Sequence, residues 1–308
     1  MTQPTGLAQP HQPHLSIIIP AYNEAEAIGP VLDHLVALPL DKEVIVVNDG
    51  SSDNTSEVVR SKSGVRLVEH AYNIGNGAAI KSGIRAARGR VILMMDGDGQ
   101  HKAEDVPRLV DCLTRYDMVV GARTKESETE AHRDAANALY NRIASYLVGR
   151  PIPDLTSGFR AVRAPIAKSF VYLLPNGFSY PTTLTLAVFR AGYTVRYEPI
   201  IAPARKGSSK IKLFEDGFGF LLTLARIGTL FAPMRIFLPL SAAMFVLGSV
   251  YALVWLILTG HLPNVAVTLL ISGVLMFMLG LISEQIALLR MSQVSYFEHD
   301  EDHGRHES

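Results

Sequence analysis

The stretch RVILMMDGDGQH, residues 90–101, decides the fold. Val91 to Met95 form an unbroken apolar run that gives way at once to Asp96, Gly97, Asp98, Gly99 and Gln100. A run so short and continuous suits a strand covered on both faces, and the turn residues mark its carboxyl end. The same alternation extends outward in both directions. LSIIIP, EVIVVND, VRLVEH and DMVVGAR read as further strands, while AIGPVLDHLVAL, AIKSGIRAARG and EDVPRLVDCL read as helices. Strands and helices in βαβα order predict an α/β domain, a mostly parallel sheet between helical layers. Ligands in such sheets bind beyond the carboxyl ends of the strands. Polar residues gather at those positions here, as Pro20 to Glu24, Asn48 to Asp53 and Asp96 to His101.

The candidate chemistry follows from that rim. Asp96, Asp98 and Gln100 offer hard oxygen ligands from one loop, which suits Mg²⁺ or Mn²⁺ with coordination positions left for water and phosphate oxygens. Gly97 is expected to permit the tight turn between the two carboxylates. An Asp-X-Asp alone is most often a surface turn, and the place of this one after a buried strand reverses that balance. Asp49 stands where an acid accepts hydrogen bonds from a ribose or base. Asp53 or Ser52 is expected to cap the next helix, with Gly50 making the turn. Gly75 and Gly77 precede the helix carrying Lys81 and Arg85 but fit neither a Walker loop nor GxGxxG. Ser157 and Arg160 of SGFR form a donor pair of the kind that contacts phosphate. RKGSSKIK, residues 205–212, brings four cations into eight residues and suits an anionic ligand.

Composition sets the limits. Among 308 residues, 29 basic and 29 acidic side chains balance, which excludes sequence-wide attraction to nucleic acid. The one cysteine, Cys112, cannot form an intramolecular disulfide; it fits a reducing compartment and a packing role in a helix. MTQPTGLAQPHQPH lacks a basic start and an apolar core, so residues 1–14 are expected to be a disordered leader and not a signal peptide.

After the α/β domain, residues 15–210, the character changes. Ile236 to Leu258 carry no charge, and Asn264 to Leu289 carry none before Glu284; each is long enough to cross a hydrocarbon core as a helix. Residues 236–290 are therefore expected to form a transmembrane hairpin, joined through TGHLPN. Residues 211–235 read as interfacial amphipathic helices among membrane lipids, and 291–308 as a disordered, His-containing tail. Arg226 and Arg235 precede the spans and Arg290 follows them, whereas the connecting turn has no Lys or Arg. The positive-inside rule then puts both ends in the cytoplasm, with a bacterial inner membrane as the expected setting. Ser241, Ala242, Ala243, Gly248 and Ser249 permit close helix packing and self-association.

Taken together, SIIIPAYNEAEAI, VIVVNDGSSDNT, MMDGDGQH, MVVGAR, DLTSGFRAVR and RKGSSK resemble the family-2 glycosyltransferases with the GT-A fold. Within that family the chain is similar to the polyprenyl-phosphate glycosyltransferases of the dolichol-phosphate mannose synthase type. The likeness covers nearly the whole chain. It implies that Pro20, Tyr22, Glu24 and Asp49 line a nucleoside pocket and that Asp96 and Asp98 serve the diphosphate and ribose. Asp98 and Gln100 would hold the metal, and Arg123, Ser157, Arg205 and Lys210 would meet phosphates of a lipid acceptor or the donor. Asp98, Arg123 and Arg205 are then the expected catalytic residues. The implied reaction is inverting transfer of one sugar from a UDP- or GDP-linked donor to a polyprenyl phosphate. A different glycosyl acceptor and an inactive membrane scaffold are the alternatives. Where relatives often carry an acid, Tyr180 to Thr183 are neutral, and Asn76 stands where some carry a basic residue.

Overall fold

The computed structural model describes residues 13–124, 131–177, 179–202 and 228–303, with the backbone alone at 131–137 and 290–303. Arg205, Lys210, nearly all of the expected leader and most of the expected interfacial segment lie outside the described residues. The chain divides into two compact units, Met1–Leu139 with Pro153–Ser208, and Tyr140–Ile152 with Ser209–Ser308.

The first unit is a seven-stranded sheet in the order β3-β2-β1-β4-β6-β5-β7. Its strands are β1 Leu15–Ala21, β2 Lys42–Asn48, β3 Val65–Glu69, β4 Val91–Met94, β5 Met118–Arg123, β6 Arg160–Arg163 and β7 Val195–Ile200. Strands β1, β2, β3 and β4 pair in parallel, as do β5 and β7, while β6 runs antiparallel between β4 and β5. Side chains alternate between the faces of a strand. Ile17 and Ile19 of β1 accordingly join one core with Ile28, Leu32 and Leu35, which recur at helical spacing on α1 (Ala25–Ala37). Ile18 faces the other way, onto α3 (Asn76–Ala86), where a Cβ at Gly83 would stand 2.3 Å from its Cγ2. The continuous apolar runs of β1 and β4 are thus covered on both sides, whereas the edge strands β3 and β7 are only partly buried.

The remaining helices of this unit are α2 (Thr55–Arg60), α4 (Asp105–Cys112), α6 (Ala164–Phe170) and α7 (Tyr180–Arg190); α5 (Ala131–Val148) passes from one unit to the other. The sequence reading expects five of the strands and α1, α3 and α4. It does not separate β6, β7 or the helices after β5.

The second unit contains a helical hairpin, α8 (Pro233–Thr259) and α9 (Asn264–His303). Pro233–Thr259 and Asn264–Leu289 are long and apolar enough to cross a membrane, and most of their side chains are exposed, as lipid-facing residues would be. Residues 140–152, expected within the α/β domain, belong to this unit. Tyr146 donates its hydroxyl to Arg235 O at 2.9 Å, and Arg235 Nη1 returns a bond to Tyr146 O. The α9 backbone stays helical to His303, beyond residue 290, where the sequence reading places the start of the tail. No Gly or Pro falls between Leu281 and His303 to stop it, and Gly304 comes next.

Candidate active site at the strand termini

The strand order reverses at β1, which lies between β2 and β4, so the crevice beyond its carboxyl end is the switch point of the sheet. Loops following β1, β2 and β4 meet there and are laced together. Asn23 takes a left-handed backbone conformation, φ 55°, and donates its N–H to Ser51 Oγ at 3.0 Å; its Oδ1 accepts the Ser52 N–H at 2.9 Å. Asp53 does not cap α2 from the position expected, since that helix follows Asn54. Its Oδ1 instead accepts the Thr55 N–H at 3.0 Å, and its Oδ2 accepts the N–H of Ala25, the first residue of α1, at 3.1 Å. One carboxylate therefore serves two helix starts.

Asp49 is buried at the end of β2. Its Oδ1 accepts from His70 Nδ1 at 2.6 Å and from the Ile74 N–H at 3.0 Å, and its Oδ2 accepts the Gly75 N–H at 2.8 Å. Asp49 thereby fixes the loop that leads into α3. His70 is in turn held by Ser82 Oγ, 2.8 Å from its Nε2. The sequence reading does not single out His70.

In the Asp96 loop, Asp98 Oδ1 accepts the Gln100 N–H at 3.1 Å, an Asx turn that brings both side chains to one bend. The left-handed residue of this turn is Gly99, φ 78°, and not Gly97. Gly97 is required for close packing, because a Cβ there would stand 3.0 Å from Ile28 Cδ1 and 3.2 Å from Ile19 Cγ2. Asp96 is partly exposed, with Oδ2 3.5 Å from Nε2 of the buried His101, whose ring stacks on Phe159 at 5.0 Å. Among the described residues no three His, Cys, Asp or Glu side chains gather into a metal cluster. Asp98 and Gln100, on one bend, are oxygen ligands of the kind a hard cation takes while it keeps positions for phosphate oxygens and water, and Asp96 stands two residues before that bend.

Arg123 closes β5 at the same rim. Its Nε and Nη2 donate to Asp154 Oδ2 and Oδ1 at 2.8 and 2.9 Å, and Nη2 also reaches Thr156 Oγ1 at 2.7 Å. Asp154 Oδ1 further accepts the N–H groups of Thr156 and Ser157 at 3.2 and 3.1 Å. Burial alone would raise the Asp154 pKa, but hydrogen bonds and the charge of Arg123 outweigh it and hold the carboxyl below its ordinary value. Asp154 thus orders the loop carrying Ser157, which is itself buried with its Oγ accepting the Phe159 N–H at 3.3 Å, while it orients Arg123.

Arg160 departs from expectation. It is fully buried at the start of β6, paired in register with Met94 and Val120. Its Nη1 donates to Pro181 O at 2.7 Å and Thr185 Oγ1 at 3.0 Å, and Nε and Nη2 donate to Ser157 O. A guanidinium spent on neutral oxygens inside the fold is not placed to contact a lipid phosphate, so Arg160 is withdrawn from the expected phosphate set. Burial lowers its pKa, opposed by the nearby Tyr180, Tyr197, Asp154 and Asp96, and the group remains a cation under the rim. Pro20 lies within β1, in register with Val47, while Tyr22 and Glu24 follow the strand, Tyr22 37% exposed and Glu24 at the N-cap of α1.

A mostly parallel sheet that gathers an Asp-X-Asp loop at its switch point defines the GT-A class of glycosyltransferase. Residues 16–170 match the model of glycosyl transferase family 2, and residues 232–289 match the GtrB C-terminal hairpin. The chain belongs to glycosyl transferase family 2 and is a glycosyltransferase anchored to a membrane by its hairpin. It is 32% identical over 206 residues to a dolichyl-phosphate hexose transferase of Haloferax volcanii, covering 66% of this chain and 89% of that one. It is 33% identical over 165 residues to a dodecaprenyl-phosphate galacturonate synthase of Rhizobium johnstonii, about half of each chain at 50% and 49%. Among solved structures, glucosyl-3-phosphoglycerate synthase of Mycobacterium tuberculosis, in complex with Mn²⁺ and UDP-glucose, shares the fold. Its TM-score is 0.56 at 22% identity, over 69% of this chain and 79% of that one.

Proposed function

We propose that the chain transfers a single sugar from a UDP- or GDP-linked donor to a polyprenyl phosphate, with inversion at the anomeric carbon, on the cytoplasmic face of its membrane. The observation that carries this reading is the Asp96–Gln100 bend at the switch point, on the same rim as Asp49 and Arg123. The polyprenyl-phosphate relatives support the acceptor, and the Mn²⁺-bound structural neighbour supports a divalent metal.

In this reading Pro20, Tyr22, Glu24 and Asp49 shape the nucleoside pocket, and Asp49 does so by fixing the loop before α3. Asp98 and Gln100 would hold Mg²⁺ or Mn²⁺, with Asp96 turned to the nucleotide side. The cation, when bound, supplies positive charge for the leaving diphosphate. Arg123, held in a fixed fork by Asp154, draws the acceptor phosphate into line; Ser157, and Arg205 and Lys210 outside the described residues, are assigned to the same task. The bond from the anomeric carbon to the diphosphate breaks as an oxygen of the acceptor phosphate bonds to that carbon. A phosphate is already anionic near neutral pH, so the work left to the protein is alignment and charge neutralisation. Cytoplasmic placement of both ends rests on Arg226, Arg235 and Arg290.

Purified protein given polyprenyl phosphate and a panel of radiolabelled UDP- and GDP-sugars is expected to form lipid-extractable label. EDTA and the substitution Asp98→Ala should each abolish it. No labelled lipid from any donor would remove the proposal.

A further inference from the structure

Tyr180 begins α7 and is 1% exposed, yet its hydroxyl has no hydrogen-bond partner among the described residues. A buried polar group left unsatisfied destabilises the fold that contains it, and native folds hold few of them. Removing the hydroxyl would leave the packing of the ring intact, so no described residue gives the hydroxyl a role in the fold.

Arg160 donates to the carbonyl of Pro181, next in sequence to Tyr180, and also to the carbonyl of Ser157. The following residue, Gly158, lies so close to Asp96 that a Cβ on it would stand 2.5 Å from Asp96 Oδ2. Arg160 thus ties the start of α7 to the Ser157–Gly158 segment, which abuts the Asp96 carboxylate at the rim. Asp96 and Arg160 are both electrostatic neighbours of Tyr180, and burial is the main cause raising the phenol's pKa, so it stays a neutral donor. A carboxylate that only accepts, beside a phenol that donates, complements a group that does both. An alcohol is such a group. A phosphate oxygen would meet the charge of Asp96.

We propose that the Tyr180 hydroxyl and the Asp96 carboxylate together bind one hydroxyl of the nucleotide-sugar, making Tyr180 a residue that recognises the donor. This rests on the nucleotide-sugar reading above. The hydroxyl belongs either to the ribose or to the transferred sugar, and these can be told apart.

The test is calorimetric binding of UDP, GDP, UDP-glucose and GDP-mannose to the full-length protein in detergent with Mn²⁺, for wild type and Tyr180→Phe, alongside thermal unfolding without nucleotide. The Phe variant should unfold at the same temperature as wild type or higher. Its affinity should fall about tenfold, the worth of one hydrogen bond of ordinary strength. Weakening of nucleoside diphosphates and nucleotide-sugars alike assigns the ribose; weakening of nucleotide-sugars alone assigns the transferred sugar. Equal binding by both proteins would overturn the role of Tyr180 while leaving the donor reading intact. A lowered unfolding temperature would also overturn it, because the hydroxyl would then serve the fold. If wild type bound none of the four, the donor reading itself would fall, and this inference with it.

Discussion

At Gly158 a single hydrogen separates the backbone from the Asp96 carboxylate. A methyl group there would stand 2.5 Å from Oδ2 and 3.0 Å from Cγ, closer than atoms can approach, and the movable partner is the carboxylate. Gly158→Ala is therefore expected to keep the fold and turn Asp96 out of position. A misplacement of this size lowers turnover by on the order of a hundredfold. Steady-state kinetics beside a thermal melt would check this, and wild-type turnover would show that the carboxylate position is unimportant. Asp154 makes a different prediction. Its folded-state pKa lies below the ordinary value, so its stabilising contribution is complete above the unfolded value and is lost as pH falls through the folded one. Asp154→Asn should melt below wild type near pH 7, and the gap should close as pH drops below about 4. A gap that stays constant from pH 7 to 3 would mean that the Arg123–Asp154 charge pair contributes nothing to the difference.

Legibility in the sequence differs from element to element. β1, β2, β4 and β5 are visible because burial on both faces makes them continuous apolar runs. β6 is not visible: four residues with arginine at each end have no apolar pattern, and the strand exists because β4 and β5 pair with it on either side. α7 is hidden for the opposite reason. Tyr180 to Val188 are all buried, so no polar face marks a helical period, and the Thr-rich segment has no strand alternation either. The same distinction holds in the site. Asp49, Asp96 and Asp98 can be found because each follows a legible strand. His70 and Asp154 act through partners 21 and 31 positions away, which no local motif records. Arg160 misleads because a lone arginine after Ser-Gly-Phe looks like a surface donor, and only the sheet register shows it buried.

At the scale of the whole molecule, the chain combines a sheet domain that gathers polar side chains at one rim with a hairpin whose side chains are mostly apolar and exposed. That combination suits the proposed reaction, in which one substrate, a nucleotide-sugar, would arrive from solution and the other, a polyprenyl lipid, would stay in the plane of the bilayer. The balance of 29 basic and 29 acidic residues leaves recruitment to the hairpin rather than to net charge. The most direct measurement places the intact protein in vesicles containing polyprenyl phosphate, supplies Mn²⁺ and nucleotide-sugars one at a time, and identifies the lipid product by mass spectrometry. The account predicts, for at least one donor, a polyprenyl phosphate carrying one sugar unit joined through the phosphate. A sugar attached to a different lipid, a chain of several sugars, or no conversion with any donor would contradict it.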